Sequence, residues 1–450
     1  MRKTLSNPTR TLLALGLLMV GSAAQAMDFA AAYEAAVRHD RQLEAARAGR
    51  DGAAEQVPMA ESRKRFNVGF SSSRTWVQQD RTDNGVSFPQ QNYPTLNDTL
   101  QARLPLLNRR VDAGIDRAVA QLKGSEAKLQ SVDQELTNRL LGAYLSQLLA
   151  NDQLAQLAAQ RASAESRLTA AESALKAGVG TRTDIDEIRA QLDVIFARTL
   201  KAEQDQLTAQ AELEVITGLK GQGKLRHRLD VQAFVPEQFD PKQLEDWVQR
   251  AQQQNPILNQ RRAELEIARA GQLDARAERF PTLDLVLQAS RSSSESSFFV
   301  NSETNNRVVG LQLNVPIYQG GYISARNRQA DAAIREAESI LAAGEDAVRV
   351  EVQKAYYAIQ EGMKRIRALE ATARSAEQLV RATRMSASAG QRSTLDVLNA
   401  EQRAAETLLQ LAQSRYEMLI AWARLQALSG EADRSVVARI AAVLTESALK

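Results

Sequence analysis

The chain has 450 residues, with 57 Lys or Arg against 54 Asp or Glu and a formal net charge of +3. It has no cysteine and only two histidines, His39 and His227, so neither a disulfide framework nor a thiolate or His-cluster metal site fits it. Aromatics make up 5% while Ala, Leu, Gln, Glu and Arg dominate, a balance that favours long helices over a thick globular core.

Residues 1–26 read as a secretory signal peptide. Arg2, Lys3 and Arg10 precede a short apolar run at 11–20 (TLLALGLLMV), and Ala24-Gln25-Ala26 fits the small-x-small cleavage pattern. Cleavage after Ala26 removes three of the 57 basic residues and none of the 54 acidic ones, which leaves a formally neutral chain and no electrostatic case for a nucleic-acid partner. With no Cys at that site, no lipid anchor is expected on the mature N-terminus. No later stretch has the roughly 18–20 apolar residues of a spanning helix, so a membrane crossing would need a closed β-barrel.

The rest reads as two copies of one unit, 27–218 and 243–430. Asp40-Arg41-Gln42-Leu43 then Phe66 echoes Asn255-Pro256-Ile257-Leu258 then Phe280-Pro281. Leu104-Pro105-Leu106 echoes Val315-Pro316-Ile317, and Thr217-Gly218 echoes Ser429-Gly430. An ordered series of matches at a near-constant offset points to duplication. Each unit begins with a helix, expected at 28–65 and 244–279. Two strands follow, at 66–78 and 96–104 in the first unit and at 280–291 and 308–315 in the second. Leu283, Leu285, Leu287 and Ala289 alternate with polar residues, as do Val309, Leu311, Leu313 and Val315. That is the period-two pattern of a tilted transmembrane strand. In the first pair, Val68, Phe70 and Trp76 stand opposite Leu100, Ala102 and Leu104. Polar loops are expected between the strands, at 79–95 and 292–306. Four strands cannot close a transmembrane barrel, because the smallest have eight.

Long proline-free helices come next, expected at 108–177 and 322–389, each about 100 Å at 1.5 Å per residue. Val352, Tyr356, Ile359, Met363 and Ile366 form a heptad seam, and Leu129, Val132, Leu136, Leu140 and Leu145 a similar stripe. Tip turns at 178–183 and 389–394 lead to closing helices at 183–216 and 394–428. The two shorter helices of a unit together match the long one, so they can stack end to end along it. Residues 219–242, with Gly, Pro and Asp punctuation, read as a connection, and 431–450 as a tail packed on the helices.

These motifs resemble those of the TolC family of outer-membrane efflux and secretion proteins. They are Met27-Asp28-Phe29 with Tyr33-Glu34-Ala35, Asn255-Pro256 before Phe280-Pro281, and Val315-Pro316-Ile317-Tyr318 before Gly320-Gly321. The turns from Gly178 to Asp184 and from Gly390 to Asp396 complete the set. The resemblance covers nearly the whole mature chain. It implies a mainly α fold with a small β part: a homotrimer with a long coiled-coil helical barrel in the periplasm and a shared twelve-stranded β-barrel in outer-membrane lipid. It implies a channel-tunnel of a Gram-negative cell that works with a periplasmic adaptor (membrane fusion) protein and an inner-membrane ABC or RND pump. The absence of a lipid-anchor Cys looks more like the type I protein secretion branch than the lipidated drug-efflux branch.

In the family, an Arg after one tip Gly contacts an Asp on a neighbouring coiled coil, and acidic side chains ring the constriction. Arg392 and Asp184 fill the latch positions here and Asp396 the ring. Asn399 stands where a second Asp is frequent, and Ala387 where a latch Tyr can occur. Gly178, Val179, Gly180, Thr181 and Gly390 would form the adaptor-docking tips. Asp184 and Asp396 also suit helix caps, a role worth about 0.5–1 kcal/mol each and compatible with gating.

No catalytic constellation or cofactor motif is present, and no enzyme activity is expected. Residues 218–224 (GLKGQGK) match the spacing of a phosphate loop but follow a helix and put Leu225 where a Mg²⁺-binding Ser or Thr belongs. A multidrug-efflux channel and a soluble periplasmic coiled-coil adaptor or scaffold are the competing readings.

Overall fold

A computed structural model describes residues 28–220, 227–229, 234–296, 299–431 and 434–446. The expected signal peptide at 1–26 lies outside these residues, as does much of the expected connection at 219–242. Helices α1 (Phe29–His39) and α2 (Arg41–Ser62) lead into strand β1 (Asn67–Gln79). A small hairpin of β2 (Thr82–Asp83) and β3 (Val86–Ser87) precedes β4 (Gln91–Leu107), and then come α3 (Arg109–Lys176) and α4 (Arg182–Thr217). After β5 (His227–Leu229) and a short helical turn at Pro236–Phe239, the order recurs as α5 (Leu244–Gln254), α6 (Pro256–Ala277), β6 (Thr282–Ser296) and β7 (Phe299–Asn314). Next are α7 (Tyr322–Ser388), α8 (Thr394–Leu428), α9 (Arg434–Ala442) and β8 (Leu444–Glu446), the last paired with β5.

The repeats match in length. α1 and α2 have 11 and 22 residues, as do α5 and α6; α3 and α4 have 68 and 36 against 67 and 35 for α7 and α8. Where one opening helix was expected in each unit, there are two. The break falls at buried Asp40, whose Oδ1 accepts from Leu43 N at 2.8 Å and from Arg139 Nη2 at 3.1 Å. In the second unit, Asn255 Oδ1 accepts from Ile257 N and Leu258 N, while its Nδ2 donates to Leu428 O at 2.9 Å. Both residues restart a helix by capping its free N–H groups, and Pro256 occupies the first-turn position that needs no N–H.

α3 is capped by the Asn108 side chain and runs without a proline. It packs on α2 and α6 and, further along, on α4; α7 packs in turn on α5, α6 and α8. Each long helix is thus flanked by shorter ones along its length. The main core lies midway, in one cluster that includes Leu136, Leu140 and Leu145 of α3, Val352, Ile359 and Ile366 of α7, and Leu419 and Trp422 of α8. Edge-on pairs Phe29–Tyr144 at 5.3 Å and Phe239–Trp422 at 5.2 Å fill the bulkiest gaps. A smaller cluster towards the tips joins Leu157, Ala164, Ile188, Ile195, Ala202 and Leu398.

The four long strands form one antiparallel sheet in the order β1-β4-β6-β7. Its register stacks like with like: Val68, Ala102, Leu287 and Val309 lie side by side, with Leu104, Leu285 and Leu311 in the next row. That face stays bare in one chain, with Phe70 68%, Val309 78% and Leu311 66% exposed. Trp76 flanks one end of the apolar band, and Ile317 and Tyr318, 94% and 84% exposed, flank the other. The strands run further than expected: they absorb most of the loop expected at 292–306 and both ends of that expected at 79–95, whose middle carries the β2–β3 hairpin. Beyond the apolar band, Ser, Thr and Asn occupy both faces, so hydropathy alternation stops while backbone pairing continues, as in Ser292↔Thr304. Among the described residues no helix is long and apolar enough to cross a membrane.

Candidate functional site at the hairpin tips

Both tip turns close in the same way. Gly178 and Gly390 adopt φ of +76° and +75°, which glycine reaches without a Cβ penalty. Gly178 N donates to Leu175 O and Val179 N to Ala174 O; Gly390 N donates to Ala387 O and Gln391 N to Ser386 O. This paired pattern satisfies carbonyls that the helix end leaves free. The descending helices then start on reciprocal caps. Thr181 Oγ1 accepts from Asp184 N at 3.1 Å while Thr181 N donates to Asp184 Oδ2 at 3.3 Å. Ser393 and Asp396 repeat the arrangement at 3.1 and 3.0 Å. Ile185, Ile188, Val397 and Leu398 are buried just behind, so the turns rest on a fixed base. Val179 projects from the tip, 82% exposed.

Asp184 and Asp396 are therefore helix caps in the single chain. The N–H and hydroxyl of Ser393 donate to the Asp396 carboxylate and, with the nearby Arg392 charge, hold its pKa below the ordinary value. Arg392 Nη1 lies 3.9 Å from Asp396 Oδ1 in its own turn, and both are exposed. Among the described residues, no ion pair within the chain joins Arg392 to Asp184. Asn399 is exposed one turn further along α8.

A stronger constellation lies about 10 Å into α8 from its start at the second tip, counting 1.5 Å per residue, and sequence reasoning missed it. Glu401 of α8, only 14% exposed, accepts from Arg167 Nη2 of α3 at 2.6 Å and from Arg384 Nε and Nη2 of α7 at 2.9 and 2.7 Å. Ser163 Oγ of α3 donates to its second oxygen at 2.9 Å. Burial pushes the Glu401 pKa up, but the donors Arg384 and Ser163 and the two guanidinium charges outweigh it, and the net shift is downward. The cluster ties the second hairpin (α7 and α8) to the first (α3 and α4). Gln191–Gln402 at 3.0 Å, Arg198–Glu406 at 3.3 Å and Asp152–Tyr416 at 2.9 Å add rungs along the same seam. A cavity of about 590 Å³ opens beside it, lined by Ala155, Ala159, Leu408 and Ala412 among others. The seam is thus joined by polar rungs over a loosely filled groove.

The chain matches the outer membrane efflux protein family over residues 32–219 and 247–431. It is 30% identical to the proteases secretion protein PrtF of Dickeya chrysanthemi, over 96% of this chain and 94% of that one. It is 32% identical to the alkaline protease secretion protein AprF of Pseudomonas aeruginosa, over 94% of this chain and 89% of that one. Its fold is similar to that of the solved structure of CusC, with a TM-score of 0.75, 18% identity and coverage of 89% and 92%.

Proposed function

The chain belongs to the outer membrane efflux protein family, and from that membership we propose a homotrimeric conduit for type I protein secretion, docked at its hairpin tips to a periplasmic adaptor and an inner-membrane pump. The protein is an outer-membrane channel that reaches into the periplasm and exports substrates from a Gram-negative cell. The family is one of channels and not an enzyme class. The protease-secretion relatives favour protein cargo over small drugs.

One observation carries the trimer: a four-stranded sheet with two unpaired edges, β1 and β7, and a bare apolar face. Lipid can cover that face, but the edges need partners, because unpaired backbone groups are untenable in hydrocarbon. Pairing β7 of one copy with β1 of the next removes both edges at once. Two copies would give eight strands, whose lumen side chains fill. Three copies give twelve and leave a passage. In this reading, residues 27–218 and 243–430 are the two repeats of each copy, joined through 219–242 and followed by the 431–450 tail, with residues 1–26 removed on export.

At the far end, Val179 with Gly178, Gly180, Thr181 and Gly390 presents the docking surface. Arg392, Asp184, Asp396 and Asn399 line the constriction, and a ring of three Asp396 carboxylates repels itself and draws cations. Native mass spectrometry of the detergent-extracted protein tests the assembly, with a trimer expected. A monodisperse monomer in buffer without detergent refutes it. Crosslinking through cysteines placed at Val179 or Gln391, followed by co-purification, is expected to retrieve an adaptor and pump.

A further inference from the structure

The sheet has a second face, and its chemistry is unusual for the amount of charge in this chain. Opposite the apolar rows, the register sets Ser71, Thr99, Ser290 and Asn306 side by side, with Gly69, Gln101, Gln288 and Val308 in the next row and Val286 beside Arg103 in the one after. Among the described residues of β1, β4, β6 and β7, the only charged side chains on this face are Arg103 and Asp284. These two pair with each other: Arg103 Nη2 donates to Asp284 Oδ2 at 2.5 Å, and Asp284 is buried. Yet 25% of the chain is charged, and on the other face Arg74, Asp98, Arg291 and Glu303 lie beyond the apolar band, with Arg307 at its edge in the row of Phe70, Leu100 and Ala289.

In the trimeric conduit proposed above, on which this inference rests, the apolar face meets lipid and this face lines the lumen. We propose that the lumen wall is an electrostatically silent track of hydroxyl and amide groups, suited to pass extended polypeptides of either net charge. The Arg103–Asp284 pair is the one point where charge is held in balance. A wall with a net sign would retain cargo segments of the opposite sign, because attraction to a fixed ring of charges in a confined lumen is poorly screened. Hydroxyls and amides exchange hydrogen bonds with a moving chain and with water on nearly equal terms. Charge discrimination is then left to the tips, where Asp396 and Arg392 stand exposed.

The chain lacks cysteine, so a single Gln101→Cys change gives a clean probe two residues from Arg103 on the same face. Its reaction rates with a cationic and an anionic methanethiosulfonate reagent, added from the barrel side at low salt, read the local potential. The expected ratio of the two rates lies within about twofold of that for a free thiol. An added Asp284→Asn leaves Arg103 unopposed about 7 Å away and is expected to change each rate by about threefold, in favour of the anionic reagent. Arg103→Gln is expected to tilt the ratio the other way, and Arg103→Gln with Asp284→Asn to restore it. A tenfold tilt with Gln101→Cys alone, or single variants that leave the ratio unmoved, overturns the proposal; the first readout stands even if a single variant fails to fold. Leu100→Cys separates this failure from that of the barrel reading. It is expected to stay unreactive in lipid, and reaction as fast as Gln101→Cys would sink the barrel instead.

Discussion

Glu401→Ala removes an acceptor shared by three helices and leaves Arg167 and Arg384 facing each other across the hairpin seam. The exposures apportion the cost. The Arg384 side chain is 58% exposed, so its pair with Glu401 is worth at most about 1 kcal/mol. Arg167 is 22% exposed against 14% for Glu401, and losing a half-buried, charge-assisted bond of this kind costs about 1–2 kcal/mol. The sum, about 2 kcal/mol, is a factor of about 30 in the balance between joined and parted hairpins. Single-channel recording in planar bilayers is the assay, with a longer-lived or larger open conductance expected. The same preparations are melted in parallel. If the melting temperature falls while conductance and open lifetime stay at wild-type values, the cluster merely braces the helices, and its role in holding the tips closed is refuted.

Glu401 also predicts a pH dependence. Its folded-state pKa lies below the ordinary glutamate value, so its stabilisation is complete above about pH 4.3 and is lost as pH falls through the lowered value; open lifetime should rise only on that acid limb, and a change confined to pH 6–8 would implicate another group. Arg392→Ala loses one exposed i,i+4 pair and should leave thermal stability within about 0.5 kcal/mol of wild type while raising conductance; unchanged conductance removes Arg392 from the gate. Gly390→Ala forces a side chain into φ of +75° and should destabilise the second tip by about 1 kcal/mol, read as faster hydrogen exchange around residues 385–396. Leu287→Arg on the apolar face should cost about 2–4 kcal/mol of barrel stability in urea titrations from lipid, whereas Gln288→Arg on the opposite face should cost far less; equal costs would mean that lipid does not meet the apolar face.

Much of this architecture could be read from local pattern. The 4-3-4-3 spacing of Val352 to Ile366 is a statement about one helix face, and those residues are indeed the buried seam, with Tyr356 partly buried among them. The period-two runs at Leu283 and Val309 fall on one sheet face for the same reason. Pattern failed where polarity carried the structure. Asp40 and Asn255 look like ordinary surface residues, yet their burial and caps split each opening helix; Asn-Pro at 255–256 was the available clue. The upper strands escaped because Ser and Thr on both faces leave no alternation to detect. Glu401 was invisible for a deeper reason. Its partners lie 234 and 17 residues away, and one carboxylate among 54 acidic side chains carries no local mark of where three helices converge.

The two ends of the molecule are held by forces of different size, and this bears on how it can move. On the sheet, Val68, Phe70, Val309, Leu311 and Leu313 are among the exposed large apolar side chains, each worth about 1.5–3 kcal/mol when covered. Covering those five in lipid is thus worth about 10 kcal/mol per copy, and nothing in that sum depends on the tips. Towards the tips the hairpin seam rests instead on a few polar rungs, of which the Glu401 cluster at about 2 kcal/mol is the largest, and on Leu398 of α8 packed among the apolar residues of α3 and α4. A partner docked as proposed at Val179 and the tip turns would therefore have only to outweigh those rungs and that one apolar contact to part the hairpins. It could not supply enough binding energy at so small a surface to unmake the sheet. The passage can then open at one end while the membrane end keeps its shape, as export through an outer membrane that must remain sealed around the channel requires.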